Sequence, residues 1–125
     1  PDNVDALNYI GYTYAEQGVR LDEALFLIQK AMKLKPNSGY IIDSLGWVYF
    51  QKGQYEKAVA TLLKAATLTG KDPTIQEHLG DAYHKLKEYK KALQYYEKAL
   101  SLEHPEEKRI KEKITEVRER LKTEN

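Results

Sequence analysis

A glycine recurs in the same short context at intervals of 35 and 34 residues. Ile10-Gly11-Tyr12, Leu45-Gly46-Trp47 and Leu79-Gly80-Asp81 align, and each glycine is followed three positions later by a tyrosine. Alanines in the second half of each unit repeat every 34 residues, at Ala24, Ala58 and Ala92 and again at Ala31, Ala65 and Ala99. A fixed period of this length is typical of arrays in which one supersecondary unit stacks on the next. We therefore expect three similar units.

Within each unit, apolar residues return every three or four positions, the period of an amphipathic helix. Two helices per unit follow, at about residues 4–17, 22–35, 39–52, 55–69, 73–87 and 89–102. Asn37-Ser38 and Asp72, which precedes Pro73, are typical residues for helix starts, and Asp22-Glu23 suits the positive end of a helix dipole.

The three repeating glycines stand inside predicted helices, where glycine costs about 1 kcal/mol relative to alanine. A packing reason is therefore needed at Gly11, Gly46 and Gly80. We expect the two helices of each hairpin to approach closely at these positions.

The pattern Leu-Gly-x-x-Tyr, then Gly, then Tyr-x-x-Ala and a later Ala resembles the tetratricopeptide repeat over residues 1 to about 104. The second unit carries it most fully, as Leu45, Gly46, Tyr49, Gly53, Tyr55, Ala58, Leu62 and Ala65. The third unit has Lys87 where the turn glycine is usual. Pentatricopeptide and Sel1-like repeats are the nearest alternatives, but the glycine and alanine positions fit them less well. The run from Asp43 to Trp47 resembles bacterial arrays of this family.

This resemblance implies an all-α fold, a right-handed superhelical solenoid of antiparallel helix hairpins with about seven helices. The expected divisions are repeats at 1–35, 36–72 and 73–104 and a C-terminal capping helix at 105–125. In the last segment Ile110, Ile114, Val117 and Leu121 form a single apolar seam among interleaved acids and bases. A repeat array requires a terminal element with one apolar face toward the array and one polar face toward solvent.

The composition offers little support for other functions. Twenty Lys and Arg against 19 Asp and Glu give a net charge of +1, which is no basis for nucleic-acid binding. There is no cysteine, and His78 and His84 are six residues apart, a poor spacing for joint metal binding. The glycines form no nucleotide-binding motif. We therefore expect no catalytic residues, cofactor, metal or membrane insertion.

In this family the first helices of the repeats line a concave binding groove. In the second repeat, aromatic side chains form a stripe that the hairpin does not use, and tryptophan and tyrosine are enriched at interface hot spots. We expect Trp47 to be the main anchor, with a basic ligand residue near the third repeat. The predicted groove residues are Asn8, Tyr9, Tyr12, Tyr40, Asp43, Ser44, Trp47, Phe50, Glu77, Asp81 and His84.

The sequence thus predicts an interaction scaffold that binds a peptide or protein segment. The alternative is a structural or self-assembly segment without a peptide ligand, in which another copy covers the aromatic stripe. Self-association through the uncapped first repeat is also expected to be possible. Relatives that clamp the carboxylate of chaperone C-termini use lysine, asparagine and arginine on this wall. The aligned positions here are Asn8, Tyr12, Ser44, Thr74 and His78, so that activity is not expected. The first residue is Pro1, and we expect a piece of a longer protein whose compartment, cytoplasmic or periplasmic, is undetermined.

Overall fold

The computed structural model describes residues 3–124, in which all regular secondary structure is helical. Seven α-helices occur in this range: α1 (Val4–Gln17), α2 (Leu21–Leu34), α3 (Gly39–Gln51), α4 (Tyr55–Leu68), α5 (Pro73–Lys85), α6 (Tyr89–Ser101) and α7 (Glu107–Thr123). The all-α prediction is confirmed, and the six helices predicted within the repeats begin and end within two residues of their predicted limits. None of the seven has both the length and the apolar character needed to cross a lipid bilayer.

Side-chain caps fix several helix starts. Ser38 Oγ accepts a hydrogen bond from the Ile41 N–H at 3.3 Å, at the start of α3. At the start of α5, Asp72 Oδ1 accepts from the N–H groups of Thr74 and Ile75, and Pro73 occupies the first turn. Each cap satisfies backbone donors that have no partner inside the helix. Both predicted start signals are therefore confirmed.

The helices group into two compact units, Pro1–Thr69 with α1 to α4 and Gly70–Asn125 with α5 to α7. In unit 1, α1 packs on α2, α3 packs on α4, and α3 also contacts α1 and α2. Its core includes Leu7, Ile28 and Val48. In unit 2, α6 contacts both α5 and α7.

The repeating glycines lie where paired helices touch. A Cβ atom on Gly46 would lie 2.7 Å from two side-chain carbons of Leu62 in α4. One on Gly80 would lie 2.5 Å from the Tyr96 ring in α6, and one on Gly11 would lie 2.6 Å from Ile28 in α2. Carbon atoms do not approach so closely, so alanine cannot replace these residues without movement. The predicted packing reason for the mid-helix glycines is confirmed.

The turns inside two of the hairpins use the same backbone conformation with different residues. Gly53 has φ +81°, and Lys87, 34 positions later, has φ +61°. Glycine adopts this left-handed region readily, whereas a residue with a Cβ atom is strained there. Lys87 therefore occupies a conformation that suits glycine better.

Helix α7 buries the predicted apolar seam within unit 2. Ile110, Ile114 and Val117 are buried, and Leu121 at the end of the seam is half-buried. The opposite face carries charges, including a 2.7 Å ion pair between Lys111 and Glu107 one turn apart. The helix therefore has the one apolar face and one charged face that its sequence predicts.

Candidate binding site

Eight of the predicted groove residues lie on two helices of unit 1 that contact each other. We call this surface the α1–α3 face. Helix α1 supplies Asn8, Tyr9 and Tyr12, and α3 supplies Tyr40, Asp43, Ser44, Trp47 and Phe50. The remaining three predicted residues, Glu77, Asp81 and His84, lie on α5 in unit 2 and are considered separately.

Two tyrosines of the α1–α3 face are open to solvent. Tyr9 is 72% exposed and Tyr40 is 58% exposed, which is unusual for large aromatic side chains on packed helices. Tyr12, by contrast, is half-buried and packs against the core of unit 1. A tyrosine ring offers apolar area and a hydroxyl at little cost in conformational entropy. The exposed aromatic surface of this face therefore comes from Tyr9 and Tyr40.

Trp47 is more deeply buried than the sequence predicts. Its side chain is only 8% exposed and belongs to the core cluster of unit 1. Its ring stacks on Phe50 with centroids 4.4 Å apart and planes 5° apart, and Phe50 meets the edge of Tyr55 at 5.3 Å. Sequence patterning could not separate this internal stack from an exposed stripe, because both use aromatic residues at helical spacing. Trp47 is thus part of the core of unit 1, and a ligand-anchoring role for it stays a prediction.

The polar members of the face are largely enclosed. Asp43 and Ser44 are buried, and Ser44 Oγ donates a hydrogen bond to the Tyr40 carbonyl oxygen at 3.1 Å. Asn8 Oδ1 is a buried acceptor for which the described residues provide no donor. An unsatisfied buried acceptor costs free energy that an added donor would recover. Asn8 Oδ1 therefore has unused hydrogen-bonding capacity within unit 1.

In unit 2, Glu77 is the centre of a charged cluster. Its side chain is 3% exposed, and its carboxylate accepts two hydrogen bonds from Arg109 of α7, from Nε at 2.9 Å and Nη2 at 2.8 Å. Lys113 Nζ donates to Glu77 Oε2 at 2.6 Å and to Asp81 Oδ1 at 2.9 Å. A carboxylate this deeply buried requires such partners to remain charged.

His104 completes the cluster. Its Nδ1 accepts a hydrogen bond from the Glu106 N–H at 2.8 Å, so this nitrogen carries no proton. The proton therefore resides on Nε2, which lies 2.8 Å from Glu77 Oε1 and donates to it. A neutral imidazole thus satisfies the oxygen lone pair that Arg109 leaves available.

The cluster sets the pKa of Glu77. Burial alone would raise the pKa of this carboxyl group, but the hydrogen bonds and charges of Arg109 and Lys113 outweigh burial and lower it to about 2. The same pairing raises the pKa of Arg109. Burial and the charge of Asp81, to which the Tyr96 hydroxyl donates at 2.5 Å, raise the pKa of Tyr96. Glu77 is therefore ionised throughout the physiological pH range.

These contacts change the interpretation of the acidic residues on α5. The sequence predicts a basic ligand residue near the third repeat, but in the structure the acids Glu77 and Asp81 both pair with Lys113 inside unit 2. The signal was present in the sequence: Glu77 and Asp81 are four residues apart, as are Arg109 and Lys113. His84, the third predicted residue on α5, is half-buried with its ring edge toward Tyr89 at 5.6 Å.

Among residues 3–124, no three His, Asp or Glu side chains come together in a group that could hold a metal ion. The Glu77 cluster contains two acids, Glu77 and Asp81, and its other members are cations and a neutral imidazole. Its charges are balanced internally. The cluster therefore has the features of a structural link between α5 and α7.

A tetratricopeptide repeat family model matches residues 7–111. The chain belongs to the tetratricopeptide repeat family. It is 41% identical over 81 residues to the tetratricopeptide repeat-containing protein PA4667 of Pseudomonas aeruginosa, a match that covers 65% of this chain and 14% of that protein. It is 32% identical over 90 residues to the heat shock protein STI1 of Saccharomyces cerevisiae, covering 66% of this chain and 15% of that protein. The tetratricopeptide repeat chain thus spans about one seventh of the length of these relatives.

Solved tetratricopeptide repeat domains share the fold at lower sequence identity. The first such domain of human RPAP3 has a TM-score of 0.86 at 22% identity, with 96% of this chain and 93% of that chain covered. The first such domain of Spaghetti (RPAP3), solved with the HSP90 peptide SRMEEVD, has a TM-score of 0.84 at 22% identity, covering 94% and 92%. These TM-scores show that the chain shares the fold of these domains.

Proposed function

We propose that this tetratricopeptide repeat chain is an interaction module that binds a peptide or protein segment on its α1–α3 face. The observation that carries the proposal is the exposure of two tyrosines, Tyr9 and Tyr40, on adjacent packed helices. Tyrosine is enriched among the residues that dominate interface energies. The fold is also one in which a relative, the Spaghetti domain, holds a peptide.

The repeat does not require tyrosine at either position. The residues equivalent to Tyr9 in the second and third repeats are Ser44 and His78, and those equivalent to Tyr40 in the first and third are Asp5 and Thr74. Neither tyrosine belongs to the buried core. Both rings therefore lie outside the buried core and are accessible to a partner.

The proposed ligand is a segment with apolar or aromatic anchors that cover Tyr9 and Tyr40. Basic ligand residues contribute little, since Lys113 and Arg109 already neutralise Glu77 and Asp81. A chaperone C-terminal carboxylate is not the proposed ligand, because lysine and arginine are missing at the aligned clamp positions.

The test uses a peptide selected against the wild-type chain from a random display library, then synthesised with a fluorescent label. In anisotropy titrations, the double substitution Tyr9→Ala and Tyr40→Ala should weaken binding by about tenfold or more, since hot-spot truncations cost 2 kcal/mol or above. Leu68→Ala is the matched control, because Leu68 is also a large exposed apolar residue of unit 1. Equal affinities for wild type and the double variant, or failure to select any peptide, would contradict the proposal.

Self-association through the first repeat is the second candidate, and Ile10 favours it. Ile10 is 41% exposed, whereas Leu45 and Leu79, at the same repeat position, are buried. A position that the repeat normally covers is thus open at α1. If another copy covers it, the molecular mass from light scattering should rise with concentration, and Ile10→Ser should abolish the rise. A constant monomer mass would contradict this candidate.

A further inference from the structure

A second groove lies in unit 1 and shares no residue with the α1–α3 face. Its volume is about 1010 Å³, and Phe26, Met32, Pro36 and Leu45 contribute its apolar lining. Lys30 and Lys33 of α2 lie beside this apolar surface. We call this surface the α2 groove. Ligand sites commonly enclose 300–1,000 Å³, so a groove of this volume has room for several side chains of a docked segment.

Phe26 is the feature of the α2 groove that the fold does not explain. Its side chain is 65% exposed in the middle of a helix. The residues at the equivalent positions of the second and third repeats are Ala60 and Gln94. An alanine and a glutamine serve the repeat equally well there, so the ring of Phe26 is not required for hairpin packing.

The charge around the α2 groove favours an acidic partner. From Ala24 to Ile42 the chain contains three lysines, at 30, 33 and 35, and no aspartate or glutamate. Lys33, exposed in the last turn of α2, makes no ion pair in the part of the chain that the structure describes. A positive surface around an apolar floor is complementary to a segment with one apolar and one acidic face. Helices of that kind bind grooves by laying their apolar face inward.

We propose that the α2 groove is a second docking surface, which binds an acidic amphipathic helix of a partner protein with Phe26 as the apolar contact and Lys33 as the electrostatic one. The groove and the α1–α3 face are separate surfaces of unit 1. A partner could therefore engage one while the other holds a different segment, and each proposal can fail without the other.

The probe is a synthetic peptide with leucine at helical positions i, i+3, i+4 and i+7 and glutamate elsewhere, labelled with an uncharged fluorophore. Its twin carries lysine in place of every glutamate. Wild-type protein should bind the glutamate peptide and should bind the lysine peptide at least tenfold more weakly, because like charges face one another in the second complex. Added salt should weaken the glutamate complex, since exposed charges are screened.

The double variant Phe26→Ser and Lys33→Glu should bind the glutamate peptide with an affinity about tenfold or more below that of wild type. Its helical circular dichroism should equal that of wild type, because both side chains are exposed. Two controls should bind as wild type does: Lys98→Glu, an exposed lysine of α6, and Leu68→Ala, an exposed apolar residue of α4. Unchanged affinity in the double variant would overturn the proposal. So would equal binding of both peptides, loss of binding in Leu68→Ala, or a Phe26-dependent dimer that excludes the peptide.

Discussion

Removal of the Glu77 charge should destabilise unit 2 by an amount that depends on pH. The pKa of Glu77 is about 2 in the folded chain against an ordinary value of 4.5, a difference of about 2.5 units. At 1.36 kcal/mol per unit this corresponds to about 3 kcal/mol of stability. Because the folded pKa is the lower one, that stability is fully present above pH 4.5 and is lost as the pH falls through 2. The variant Glu77→Gln should lack it at every pH.

The assay is urea unfolding followed by far-ultraviolet circular dichroism, from pH 7 down to pH 2.5, for wild type and Glu77→Gln. At pH 7 the variant should be less stable by about 3 kcal/mol, because Arg109 and Lys113 lose their buried partner. The difference should shrink as the pH approaches 2. Glu97→Gln is the matched control, because Glu97 pairs with Arg118 at the surface and such pairs contribute about 0–1 kcal/mol. A difference between wild type and Glu77→Gln that is the same at pH 7 and pH 2.5 would refute the reasoning.

Three further outcomes follow from the packing. Gly80→Ala should destabilise the chain by about 1–3 kcal/mol in thermal unfolding, because the new Cβ atom would lie 2.5 Å from the buried Tyr96 ring. An unchanged melting temperature would show that α5 and α6 can separate at no cost. Lys87→Gly should stabilise by about 1 kcal/mol, because residue 87 has φ +61°, whereas Lys64→Gly, at an exposed position inside α4, should destabilise by about 1 kcal/mol; the same sign for both would contradict the backbone argument. Glu107→Gln should leave the melting temperature essentially unchanged, because its partner Lys111 is one turn away on an exposed helix face; a clear fall in the melting temperature would show a tertiary role for this pair.

The repeat allowed much of the fold to be predicted, for a physical reason. Glycine in mid-helix is costly unless another helix needs the space, so Gly11, Gly46 and Gly80 indicate the helix contacts from the sequence alone. Helix starts were equally accessible, because Ser38 and Asp72 act through hydrogen bonds to backbone groups only two or three residues away. Local rules suffice where the interacting groups are close in sequence.

The binding face was harder to predict, because exposure depends on contacts between residues distant in sequence. Tyr40 and Trp47 fall on one aromatic stripe of α3, yet the first is open to solvent and the second is stacked on Phe50 over the core. The periodicity of α3 is the same in either case. Similarly, a glutamate in the sequence is normally expected at the surface. Glu77 is buried and paired only because α7 brings Arg109 and Lys113 next to α5.

The central proposal, a ligand on the α1–α3 face, is tested most directly by nuclear magnetic resonance. A library-selected peptide would be titrated into isotopically labelled protein, and the backbone amide shifts followed residue by residue. The proposal predicts that the largest changes cluster on α1 and α3, around Asn8, Tyr9 and Tyr40. Changes confined to α2, or to α6 and α7, with the amides of Tyr9 and Tyr40 unmoved, would contradict it.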